Sequence, residues 1–227
     1  MKKFFLSALL AVSVIGVRAQ SIAAGTVSLG GSIGYSSSTD KSDYKTNYST
    51  YSDEYSRSQF QFSPSVGYFL ADNLAIGLSL GYTAAQDKVT RSGPNSTSPP
   101  SLDARTTLRV GPYVQYYKML SEQFGIVGTF GVGYQNSFTP SYNNNNNNPN
   151  RVVETKASGF YAAITPGIIF FPIPKLGLSA SIGNLGYEQF GVKRSDDIDG
   201  ESEKVSSFGA NFGLNQLLFG GTYYFGR

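Results

Sequence analysis

From Phe60 to Tyr82 the chain alternates with a period of two. Phe60, Phe62, Val66, Tyr68 and Leu70 take every second place, with Gln59, Gln61, Ser63, Ser65 and Gly67 between them. After Ala71-Asp72-Asn73 the rhythm resumes, with Leu74, Ile76, Leu78, Leu80 and Tyr82 set against Gly77, Ser79 and Gly81. Successive strand residues point to opposite faces, so the stretch predicts two strands joined by a tight turn. Within it the only ionisable carboxylate or amine is Asp72, and Asp72 belongs to the turn. A face of Gly, Ser and Gln is too small and uncharged for a solvated exterior. It suits the lumen of a narrow barrel, and the large apolar face then meets lipid.

The same alternation recurs along the chain. Val27, Leu29, Gly31, Ile33 and Tyr35 share one face of a first strand, and residues 36–58 turn polar and read as a long loop. The tyrosines there, Tyr44, Tyr48, Tyr51 and Tyr55, form either an adhesive surface or an extension of the strands above a membrane. A Pro- and Gly-punctuated loop over residues 91–101 precedes a fourth strand, about Arg105 to Lys118. Its outer face carries Leu108, Val110, Val114 and Tyr116, and its inner face Arg109, Tyr113, Gln115 and Tyr117. A fifth strand starts at Phe124 and a sixth runs from Phe160 to Phe170, with the low-complexity run Asn143 to Asn148 in the loop between them. A seventh starts at Leu176 and ends near Gly191. After an acidic loop, Asp196 to Glu203, the last strand runs from Phe208 to Phe225 with a one-residue slip near Asn215-Gln216 that suggests a bulge. Pro64, Pro112 and Pro166 fall inside strands and are expected to mark local bulges.

Eight strands with alternating short turns and long loops predict an all-β fold, an eight-stranded antiparallel up-and-down transmembrane β-barrel. Charge placement agrees. Of 18 basic and 15 acidic residues, only Arg109 falls in the middle of a predicted strand, and it is on the inward face. A charge on the lipid face at mid-bilayer would cost roughly 2–4 kcal/mol.

The first residues follow another rule. Lys2 and Lys3, the apolar run Phe4 to Val17, and Val17-Arg18-Ala19 read as a secretory signal cleaved after Ala19, giving a signal peptide over 1–19 and a barrel domain over 20–227. Cleavage removes three cations and takes the formal charge from +3 to zero, so the basic balance belongs to the precursor and implies no nucleic-acid partner. With no cysteine, no disulfide framework or N-terminal lipid is expected. The 26 Gly thin an inner wall, and the 16 Tyr and 16 Phe suit membrane interfaces.

On these grounds the chain resembles the small outer-membrane β-barrel family of Gram-negative bacteria, the eight-stranded group that includes the OmpA transmembrane domain and OmpX. Residues Phe219-Gly-Gly-Thr-Tyr-Tyr-Phe225 look like the C-terminal signal read by the barrel assembly machinery, carried here by Gly220, Tyr223 and Phe225. The resemblance implies residence in the outer membrane, contact with its lipid and lipopolysaccharide, and insertion by that machinery. No periplasmic peptidoglycan-binding domain follows the barrel, so no tether to the cell wall is implied.

Some barrels of this kind are enzymes built on histidine. This chain has no His and no Cys, which removes Ser-His and Cys-His nucleophiles and ordinary zinc sites. The expectation is therefore a non-enzyme without cofactor or catalytic residues. Asp196, Asp197, Asp199, Gly200, Glu201 and Glu203 lack the full spacing of a calcium loop and read as a solvated segment, so no metal site is expected. Arg109, Tyr113 and Gln115 are the candidate lumen residues. Arg109 either lines a narrow water path that favours anions or is hydrogen-bonded to neighbouring wall groups. The expected function is a structural or surface-interaction role through the long loops, with a narrow porin-like channel for water or small solutes as the alternative. A secreted lipocalin-like barrel is a third class, disfavoured by the missing charged counterface.

Overall fold

The computed structural model describes residues 21–45, 49–94, 96, 98–99, 101–142, 152–195 and 203–226. The expected signal peptide, the Asn143 to Asn148 run and residues 196–202 of the acidic loop lie outside them. Ten strands follow in order: β1 (Val27–Lys45), β2 (Thr50–Ala71), β3 (Leu74–Ser92), β4 (Arg105–Met119), β5 (Phe124–Tyr142), β6 (Val152–Ile173), β7 (Leu176–Ile182), β8 (Asn184–Arg194), β9 (Glu203–Asn211) and β10 (Leu217–Phe225). All pair antiparallel with neighbours, β1 pairs with β10, and β7 bridges β10 and β6, so the sheet closes on itself. The result is a closed eight-strand antiparallel barrel whose seventh and eighth positions are each built from two pieces.

The breaks have local causes. Gly183, between β7 and β8, has φ +65°, a conformation open to glycine, and a Cβ there would strike the carbonyl of Asn211. Between β9 and β10 a single turn of 3-10 helix, Leu214–Gln216, absorbs the slip expected at Asn215-Gln216. Each break shifts the alternation by one residue. Across the first, outward positions are even-numbered up to Ile182 in β7 and odd-numbered from Leu185 in β8.

Two expectations are corrected. Residues 36–58 are not a long loop: β1 and β2 stay paired from Val27↔Tyr68 up to Lys45↔Thr50, with Tyr44 opposite Tyr51 and Tyr55 opposite Asp40. Above the bilayer both faces meet water, so the apolar alternation vanishes while the backbone ladder continues. The three internal prolines do not mark bulges either. The β2–β3 ladder omits Ser63 and Pro64 but resumes in unchanged register, and the β4–β5 ladder does the same at Gly111 and Pro112. Pro166 keeps its pairing with Gly128 and faces the β7–β8 break on the other side. Each proline thus sits where one neighbouring ladder already lacks a pair, so its missing N–H breaks nothing else. The register shifts that do occur lie at Phe69/Ala71 and Phe170/Ile173, at the ends of the short turns.

Outward-facing Leu, Ile, Val, Phe and Tyr from Val27 to Tyr35, Phe60 to Leu70 and Ile76 to Tyr82 are all substantially exposed and form an apolar belt. A strand crosses a bilayer in about 9–11 residues. β2 and β6 have 22 each, and β1, β3 and β5 have 19, so these strands rise well beyond the belt.

Candidate functional site

The interior is arranged in layers. At the short-turn end, Phe69 from β2, Tyr117 from β4, Phe171 from β6 and Tyr224 from β10 turn inward and meet. Ring centroids are 5.3 Å apart for Phe171 and Tyr224, 5.5 Å for Phe69 and Tyr117, and 6.0 Å for Phe69 and Tyr224. The two register shifts lie beside Phe69 and Phe171, which themselves keep the inward phase of Gly67 and Ile169. The segment before β1 completes the layer from below. Ile22 is fully buried, its N–H donates to Asn73 Oδ1 at 2.8 Å, and the Asn73 N–H donates back to the Ile22 carbonyl at 2.9 Å. Asp72 accepts from the Ala24 N–H, and the Phe69 carbonyl accepts from the Gly25 N–H. Asn73 has φ +62°, which a short polar side chain tolerates in a turn.

Hydrogen bonds climb from this floor. The Tyr224 hydroxyl donates to that of Tyr117 at 3.3 Å, Tyr117 donates to Gln115 Oε1 at 2.9 Å, and Gln115 Nε2 donates to Thr129 Oγ1 at 3.0 Å. Tyr113 lies against Gly67 and Gly77, which pair directly with each other across β2 and β3. A Cβ on Gly77 would meet the Tyr113 ring and the Val66 carbonyl, so these two glycines make room for the phenol.

Above a chamber of about 250 Å³ stands Arg109. Its Nε donates to Gln135 Oε1 at 2.5 Å, its Nη2 to Glu188 Oε1 at 2.5 Å, and its guanidinium carbon lies 5.1 Å from the centre of the Tyr161 ring. The pair joins β4 to β8 across the lumen. A second chamber of about 420 Å³ opens above it, lined by Gln59, Gln61, Thr107, Gln135 and Asn211 among others. Higher still, beyond the belt, Asp87 accepts from Arg57 at 2.7 Å and from Arg105 at 2.8 Å. The hydrogen bond it donates to Asp87 holds the Arg57 guanidinium above its ordinary range.

Arg109, Tyr113 and Gln115 all line the lower chamber, but at successive depths, each with its own partners. Sequence reasoning missed Glu188. After the shift at Gly183 it faces inward, whereas the unbroken phase of β7 would have put it on the lipid side. The signal was present in Leu185 and Tyr187, whose odd spacing marks the new phase. Ile22 was missed as well. Of the residues expected to form an assembly signal, Tyr223 and Phe225 lie on the outer face of β10 with rings 4.8 Å apart, and Gly220 packs against Ser179. Among the described residues no group of three or more acidic residues is placed to hold a metal ion.

A closed barrel with an uncharged apolar belt, a polar lumen and short turns at one end is a membrane-spanning β-barrel. The sequence matches the outer membrane protein β-barrel domain family over residues 7–216, and the chain belongs to that family and to the outer membrane. No protein of curated function matches it. Among solved structures it is similar to the outer membrane protein OprG of Pseudomonas aeruginosa, at 14% identity and TM-score 0.42, with 93% of this chain and 100% of that one covered. A major outer membrane protein of Thermus thermophilus aligns at 14% identity and TM-score 0.46, covering 89% and 100%. The outer membrane protease OmpT of Escherichia coli aligns at 9% identity and TM-score 0.32, covering 94% and 97%.

Proposed function

We propose that this protein is a non-conducting outer-membrane barrel whose role is structural and surface-interactive, exercised by strands that rise above the bilayer. The observation that carries the reading is the floor: Ile22, Phe69, Phe171 and Tyr224, each 2% exposed or less, fill the cross-section at the short-turn end. Small barrels are usually filled by their own side chains. The Arg109–Glu188 pair adds a second barrier. In this reading the outer face contacts membrane lipid and lipopolysaccharide, the assembly machinery reads Gly220, Tyr223 and Phe225, and the chain catalyses no reaction, having no histidine or cysteine to serve as base or nucleophile.

Planar-bilayer recording tests it. The wild-type protein is expected to give a flat baseline, whereas Phe69→Ala combined with Tyr224→Ala is expected to give discrete conductance steps. Steps from the wild type would overturn the reading in favour of the narrow channel, which the two chambers above the floor would serve.

A further inference from the structure

The upper wall of the barrel is not closed. β1 is paired with β10 only from Val27 to Ile33; at Gly34 it still lies against Leu217 and Leu218, and beyond that its described ladder, up to Lys45, is with β2. β9 is paired with β8 alone, and every one of its nine residues is exposed. Among the described residues no ladder joins the two free edges. The seam between them starts at bilayer depth, because Phe208 and Ala210 of β9 pair with Tyr187 and Leu185, which pair in turn with belt residues Ala162 and Ile164 of β6. Three of the four most exposed large apolar side chains flank it: Leu214 at 83%, Phe208 at 73% and Tyr35 at 71%.

An open edge in hydrocarbon leaves N–H and C=O groups without partners, at a cost of several kcal/mol each. Behind this edge lies the upper chamber, whose wall includes Ser207, Gly209 and Asn211 of β9 itself. Among the described residues its only charges are Arg109 and Glu188, which neutralise one another, and the rest of its polar lining is amide and hydroxyl.

We propose that this seam and chamber form a binding site for a single-chain amphiphile with an uncharged, hydroxyl-rich head, drawn from the outer leaflet. Hydroxyls of the head satisfy the free backbone edges and the amides of Gln59, Gln61 and Asn211, while the chain leaves through the seam between Tyr35 and Phe208 into the bilayer. The neutral lining gives a charged head no counter-ion. The seam opens from a paired position, Ile33 against Phe219, so its lower end is narrow and passes one chain rather than two.

The chain has no tryptophan, so a single one reports its surroundings. In vesicles, Phe208→Trp is placed at the seam and Val110→Trp, on the outer face of β4, serves as the control. A monoacylglycerol brominated along its acyl chain is the probe. Saturable quenching is expected at position 208 and only linear quenching at position 110. Gly209→Phe, which projects into open space in the chamber, is expected to raise the half-saturating mole fraction about tenfold, equivalent to about 1.4 kcal/mol. A heat-dependent gel shift verifies that each variant is folded. Equal quenching at the two positions, or no effect of Gly209→Phe in a folded barrel, overturns the proposal. Saturable quenching by a brominated two-chain phospholipid, or by a brominated anionic single-chain lipid at equal mole fraction, overturns the assigned ligand class.

Discussion

Arg109 and Glu188 are the clearest case of one residue depending on another. Each side chain is about one-third exposed within the lumen, and each is placed on its strand by the inward phase. Removing the acid leaves a cation in a confined space with only Gln135 and a ring face for company. Glu188→Ala is therefore expected to destabilise the barrel by about 1–3 kcal/mol, the range for an orphaned polar partner. Adding Arg109→Ala to that variant should recover part of the loss, and urea unfolding followed by far-UV circular dichroism in detergent would measure both. Arg109 was legible because it is a lone charge in an alternating run. Its partner was hidden by one glycine, since a period of two carries no information across a residue at positive φ.

Single elements show where the pattern stops informing. The hairpin over Leu74 to Tyr82 and its partner strand were legible because lipid outside and lumen inside demand opposite side chains at every step. The same β1–β2 ladder continues to Lys45 and Thr50, yet there Ser, Thr, Lys and Asp meet water on both faces and the alternation has nothing to encode. Lys41 pairs with Glu54 at 2.9 Å, an exposed contact of the kind worth little to stability. Replacing residues 39–56 by a short turn is accordingly expected to leave barrel folding intact, with thermal stability lowered only slightly, while removing whatever the raised hairpin binds. The prolines make the converse point. Sequence rules warn against them in a sheet, but the rules concern one donor, and each proline here directs its missing donor to a place where no bond is made.

At the scale of the whole molecule, closure is the organising fact. The belt gives no internal core, so stability comes from an unbroken circuit of backbone bonds below the seam and from the aromatic floor. Unboiled protein is expected to migrate as a compact species in SDS and to shift to its full apparent mass on boiling. A single mobility at both temperatures would contradict a closed ladder. Sequence alone located eight strand positions and the lumen face of β4. It did not locate the floor, because Ile22 lies in a short segment without periodicity and nothing in the alternation says that Phe69 and Phe171, although on the inward phase of their strands, meet Tyr117 and Tyr224 in one layer.

The floor draws on both ends of the chain: Ile22 precedes the first strand, and Tyr224 lies in the last. Contacts between such distant residues form late, after the entropy of closing the intervening chain has been met. Pairing of β10 with β1 therefore closes the wall and seats Tyr224 in the floor in the same late step. In the non-conducting barrel proposed above, a chain held short of that step has neither a closed wall nor a plug, so the last strand to pair is also the one that stops the passage of solutes.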